Sequence, residues 1–261
     1  MNLFRRELRE SRPGLVGWIL GLAAAVLLYM PFYPSVGGSE LMETYVEMFP
    51  PEVSSVFGLD MMATGAGYAQ ASYFGLMGFL LLAIAAIGWG SRSIAGAEES
   101  GALELTLAHG VTRWQVLLEA GLALLVRIAV LSAVGSLLIL ALNGPAELEL
   151  EPVNLLAVTV ALFLLAGLVG IAALVGGALS GRRSVATGLG AITAVAAYVL
   201  DAVADMATVP WLAGLSPYHW AFGQDPITTG FDAGGLLLLL GLMLVLMAVG
   251  GWRFDRRDVG T

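Results

Sequence analysis

Six apolar runs dominate the chain, at about 15–34, 71–90, 121–142, 153–179, 185–207 and 233–252. A bilayer core of roughly 30 Å takes about 20 apolar residues of α-helix. In hydrocarbon every backbone N–H and C=O must be satisfied inside its own segment, which a helix does unaided. The runs therefore predict six membrane-spanning helices. The fourth and fifth are divided only by Gly181-Arg182-Arg183-Ser184, enough for a tight hairpin. With 58% of residues hydrophobic and 12% charged, the chain lacks the charge to surface a large water-soluble globule. The expected fold is an all-α membrane protein, one six-span transmembrane domain over residues 1–261.

Arginine positions orient the spans. Arg5, Arg6, Arg9 and Arg12 precede the first; Arg92 and Arg113 lie between the second and third. Arg182 and Arg183 separate the fourth from the fifth, and Arg253, Arg256 and Arg257 close the sixth. With six spans all of these fall on one side, and the opposite loops hold no Arg. The positive-inside rule places both termini in the cytoplasm of a cell (inner or plasma) membrane. The first span is expected to stay as an anchor rather than be removed as a leader. Arg used without any Lys, beside abundant Gly and Ala, fits a GC-rich prokaryotic genome.

Several chemistries are excluded outright. Without Cys there is no disulfide, thiolate metal site or thiol nucleophile. Without Lys there is no P-loop of the GxxxxGK[ST] type and no Schiff base. A net charge of −8 argues against nucleic acid as a partner.

Half of the 20 acids fall in loops on the other side: Glu40, Glu43, Glu47, Glu52 and Asp60, then Glu147, Glu149 and Glu151, then Asp225 and Asp232. Within an external loop over 36–70, Leu41, Tyr45 and Met48 keep helical spacing opposite Glu40, Glu43 and Glu47, until Pro50-Pro51 stops the pattern. This predicts a short amphipathic helix lying on the outer interface.

Residues 93–119 make an unusual connection. Leu103 and Leu107 form an apolar i, i+4 pair among Glu98, Glu99 and Glu104, and Gly101 and Gly110 permit sharp turns. A short helix outside the bilayer with an apolar stripe fits a partner protein, and a solvated loop closing the two spans has the same composition. The order Glu98-Glu99, Gly101, Leu103-Glu104, Leu107, then Val111-Thr112-Arg113 resembles the coupling region of the ABC-2 type permease family, the transmembrane subunits of ABC exporters. Two positions depart from that pattern: Gly110 stands where Pro is usual, and Glu119-Ala120 where Gly-Lys is usual.

The resemblance implies an ABC-2 (type V exporter-like) architecture with a cytoplasmic coupling helix and short external interfacial helices. It further implies that Glu98, Glu99, Gly101, Leu103, Glu104, Leu107 and Arg113 couple the chain to two ATPase subunits. ATP and Mg would then sit on those partners and no cofactor on this chain, which would pair with a second permease subunit, identical or related. The implied activity is export of a hydrophobic or amphiphilic substrate, drug or lipid-like. The alternatives are an ABC permease for an ion such as sodium or copper, and an ion-gradient-driven secondary transporter.

The stretch Leu215-Ser216-Pro217-Tyr218-His219-Trp220 before the sixth span is also similar to many such permeases. Pro217 interrupts a continuous helix, and Trp211, Tyr218 and Trp220 suit the headgroup region. Within the spans, Arg127, Tyr198, Asp201 and Asp205 are candidates for a substrate pathway, since intramembrane polar groups are costly to keep. Arg127 lies on nearly the same face as Glu119, which makes that carboxylate its expected partner or leaves it to snorkel. Asp201 and Asp205 fall about 24–30 Å from the cytoplasmic end of the fifth span, at an exit vestibule or a solvated helix end. The glycines of the fourth and fifth spans (Gly167, Gly170, Gly176, Gly177, Gly188, Gly190) predict close helix packing.

Overall fold

The computed structural model describes residues 3–36, 48, 64–207 and 209–257, and every regular element among them is helical. In chain order the helices are α1 (Leu3–Glu10), α2 (Arg12–Ser35), α3 (Gly65–Glu99), α4 (Ala102–Ala108), α5 (Arg113–Leu142), α6 (Pro152–Ser180) and α7 (Arg183–Met206). Three short helices, α8 (Pro210–Ala213), α9 (Pro217–Phe222) and α10 (Pro226–Thr229), then lead into α11 (Ala233–Arg256). Six are long and apolar enough to cross a membrane: α2, α3, α5, α6, α7 and α11. They coincide with the six apolar runs. The amphipathic helix expected around Leu41, Tyr45 and Met48 falls outside the described residues except for Met48, which is exposed.

Two rods outrun their apolar stretches. α3 begins at Gly65 and continues to Glu99, and α5 starts at Arg113. Residues 93–99 and 113–119 of the expected coupling region are therefore the ends of spanning helices, with α4 and its turns between them. Polar residues such as Gln115 do not break a helix, and the Thr112 hydroxyl starts α5 by accepting the Gln115 N–H at 3.2 Å. α3 itself is interrupted by two π-type widenings, Gln70–Gly78 and Arg92–Gly96. Such widenings loosen the i, i+4 ladder and cluster at functional sites.

α6 is the centre of the bundle. Of its most apolar stretch 89% is buried, against 17% for α2 and α7 and 22% for α11. Helices inside a bilayer gain little from hydrophobicity and associate through close approach of small residues. Gly90 on α3 meets Gly170 on α6, where an added Cβ would stand 2.5 Å from the Gly170 carbonyl oxygen. Gly190 on α7 packs in the same way on Ala173, while Gly188 faces open space.

The connection after α5 folds back as a strap. Asn143 pins it by donating to the Leu150 carbonyl and accepting the Leu150 N–H, both at 2.9 Å. Ala146, Leu148 and Leu150 turn inward while Glu147, Glu149 and Glu151 stay exposed. α1 lies along α5, its Phe4 N–H donating to Glu119 Oε2 at 2.7 Å.

Candidate functional site

At the arginine-bearing end of the bundle, Gly101 turns the chain from α3 into α4 at φ +74°, a left-handed conformation that only a residue without Cβ holds cheaply. Leu103 is fully buried and Leu107 packs half-buried against the same core, so α4 is pinned along one face. Its other face, Glu104, Leu105, Ala108 and His109, is exposed, Leu105 by 68%. His109 Nδ1 lies 2.6 Å from the Leu105 carbonyl oxygen.

The acids preceding Gly101 are engaged within the chain. Glu98 forms an ion pair with Arg257. Glu99 Oε1 accepts the Arg183 N–H at 2.8 Å, which satisfies a free donor at the start of α7 and sets a negative charge at the positive end of its dipole. Arg113 Nη1 donates to the carbonyl oxygens of Phe254 at 3.0 Å, Asp255 at 3.1 Å and Arg257, closing the last turn of α11. Gly181 fits between these groups at φ +67°; a Cβ there would stand 2.6 Å from Glu98 Oε1. Glu98, Glu99 and Arg113 thus tie together the ends of α3, α5, α7 and α11. Gly101, Leu103 and Leu107 hold α4, and Glu104 is exposed without an ion pair among the described residues.

Arg127 is buried, only 2% exposed. Its Nε donates to the Ala123 carbonyl at 3.0 Å, its guanidinium lies over the Trp89 ring at 5.2 Å, and its Nη2 stands 3.6 Å from Glu7 Oε2. The partner is Glu7, not Glu119. Sequence spacing along α5 pointed to Glu119, but that carboxylate receives the Phe4 N–H and, at 2.9 Å, the Gln115 amide. The return of α1 onto α5 puts Glu7 beside the guanidinium instead. Leu3, Phe4, Glu7 and Leu8 at i, i+1, i+4, i+5 spacing, half-buried while Arg5, Arg6, Arg9 and Glu10 are exposed, are the sequence signal for a helix that lays one face on the bundle. A cleft of about 480 Å³ opens between α1, α3, α4 and α5, with Arg127 in its lining.

Tyr198 and Asp201 sit at the opposite end of the bundle, so the structure does not bring them to Arg127. Asp201 Oδ1 lies 3.0 Å from His219 Nδ1, whereas Asp205 is exposed. Tyr198 packs edge-on against Tyr218, ring centroids 5.3 Å apart, and Phe79 and Phe222 meet the same ring. Tyr218 is therefore an inward-facing residue rather than a headgroup anchor; its hydroxyl donates to the Gly75 carbonyl at 2.9 Å, inside the first π widening. Trp211 is the exposed aromatic of this segment. Ser216 starts α9 by accepting the His219 N–H at 3.1 Å and donates to the Ala197 carbonyl at 2.7 Å.

The arrangement is a helical bundle whose polar contacts fasten helix ends, with the short helix α4 offered outward at the arginine-bearing end. A family model described as ABC-2 family transporter protein matches residues 1–259. The chain belongs to the ABC-2 transporter family. Comparison with curated proteins finds no significant match. As an ABC-2 protein it is a multi-pass membrane subunit of an ABC transporter, a transport component rather than a catalyst. The matched region runs from α1 through α11, so α4, the tied helix ends and the α9 segment all lie within the ABC-2 portion.

Proposed function

We propose that this chain is the permease subunit of an ATP-driven exporter, moving a hydrophobic or amphiphilic substrate outward while separate ATPase subunits dock at the arginine-bearing, cytoplasmic end. The observation that carries this reading is α4: anchored by Leu103 and Leu107, it holds Glu104, Leu105, Ala108 and His109 outward. An apolar side chain exposed beside a charge on a fixed helix fits a groove in a partner, and single exposed anchors can dominate such contacts.

Force applied to α4 has a direct route inward. The helix joins α3 and α5, whose ends are tied through Glu98, Glu99 and Arg113 to α7 and α11. ATP and Mg belong to the partners in this scheme, with two ATPase subunits below and a second permease subunit alongside.

The test separates docking from folding. The complex of the full chain with a co-expressed ABC ATPase is purified, and Leu105→Ala combined with Glu104→Ala is compared with the unaltered protein. The expected outcome is an undiminished melting temperature with at least about tenfold weaker ATPase retention, the loss of about 1.4 kcal/mol of docking free energy. Undiminished retention and undiminished substrate-stimulated hydrolysis in that variant overturn the assignment. Gradient-driven flux by the chain reconstituted alone overturns the ATP-driven reading altogether.

A further inference from the structure

The cleft beside Arg127 has a charge pattern that the docking of α4 does not use. Its ionisable lining consists of Arg6, Glu7, Glu10, Arg92, Arg127 and Arg183, four guanidinium groups against two carboxylates. Both carboxylates are engaged, Glu10 with Arg6 at 2.7 Å and Glu7 with Arg127 at 3.6 Å. Arg92 and Arg183 are exposed and have no ion-pair partner among the described residues. In a chain of net charge −8 this is a local positive excess.

The deepest of these cations is incompletely satisfied. Arg127 is 2% exposed, and its Nη2 has no hydrogen-bond acceptor, since 3.6 Å to Glu7 is beyond hydrogen-bonding reach. Guanidinium N–H groups are obligate donors, and one left empty in a buried site is costly. Leu3, Trp89, Leu103 and Val116 supply an apolar wall to the same cleft. A buried donor, two free guanidinium groups at the rim and an apolar wall together suit an anion attached to a hydrocarbon chain.

We propose that this cleft binds a phosphate headgroup. Arg127 lies at its floor, Arg92 and Arg183 stand at its mouth, and the apolar wall receives the chain attached to the phosphate. The planar fork of Arg offers paired donors to phosphate oxygens, which strengthens and orients such contacts. Because α1 and α4 both line the cleft, a bound headgroup touches the N-terminal helix and the partner-facing helix at once. The site is lined without Glu104 and Leu105, the docking residues of α4, and its test reads binding rather than transport.

The full chain is purified in a neutral detergent, stripped of lipid, and offered phosphatidylglycerol, phosphatidylcholine or inorganic phosphate at equal concentration. Retention is read by native mass spectrometry and by the shift in melting temperature. Phosphatidylglycerol is expected to be retained about tenfold over phosphatidylcholine, with that preference lost in the double variant Arg92→Gln, Arg183→Gln. Both substitutions are at exposed positions, so folding is spared. Arg182→Gln, next in the chain but outside the cleft, is expected to keep the preference.

Displacement of the lipid by inorganic phosphate identifies a soluble phosphate as the natural source, and no displacement identifies a lipid headgroup; both outcomes support the site. Equal retention of the two lipids, or an equal loss in Arg182→Gln and in the double variant, overturns it.

Discussion

Glu98, in the last turn of α3, is ion-paired to Arg257 just beyond the end of α11, and the two side chains close over the Gly181 turn between α6 and α7. A residue of the segment that resembles a coupling motif thereby holds the final span in place. The pair is mostly buried, its side chains 12% and 22% exposed. Removing one member strands the other, which costs more than the pair itself contributes.

Glu98→Gln is accordingly expected to destabilise the chain by about 1–3 kcal/mol, less than for a fully buried pair because water reaches both groups. Arg257→Gln should cost a similar amount, and the double variant less than the two added together. Thermal unfolding in detergent measures all three. Strictly additive losses would show that the two side chains do not act as a pair.

Gly181→Ala tests the turn. The left-handed backbone costs an L-residue about 1–2 kcal/mol, and the new Cβ would press on the Glu98 carboxylate as well. The variant is expected to melt lower than the wild type by more than Gly188→Ala, whose site faces open space. Equal melting temperatures would refute the crowded geometry.

Glu7 gives the N-terminal helix a pH dependence. Burial pushes its carboxyl above the usual carboxylate range, with the Arg127 guanidinium opposing the shift. The folded state then holds the proton more tightly than the unfolded state, so stability falls as pH rises between the two values. This contribution is complete below the ordinary Glu value of about 4.3 and is lost as pH climbs through the raised one. Arg6, Glu10 and Arg127 are the charges acting on the group. Relative to Glu7→Gln, the wild type should lose melting temperature across that window; parallel profiles would remove Glu7 as the cause.

At the other end, Ser216→Ala removes both the start of α9 and a buried donor to the Ala197 carbonyl, an expected loss of about 1–3 kcal/mol. Tyr218→Phe removes only the donor to Gly75, an expected loss of about 1 kcal/mol. Denaturation midpoints rank the two; the reverse order would contradict the contacts described.

The sequence made the spans legible because hydrocarbon imposes both length and composition on each one, and the arginines group on alternate connections because basic residues are retained on one side of the membrane. The exposed face of α4 was not legible, since Glu98, Glu99 and Glu104 look alike in a one-dimensional pattern. Which carboxylates turn inward depends on Arg183 and Arg257, far along the chain. Likewise Arg127 had a plausible neighbour in Glu119 on its own helix, and only the folding back of α1 supplies Glu7. The polar starts of α5 and ends of α3 were missed because hydropathy follows the bilayer and helix formation does not.

α6 is walled in by α3, α5, α7 and α11 along most of its apolar length. Over that stretch a rod so enclosed meets little lipid directly, while Val153 and Leu156 near its start are exposed. Changes in acyl-chain length or fluidity reach it second-hand, after α2, α7 and α11 have absorbed them.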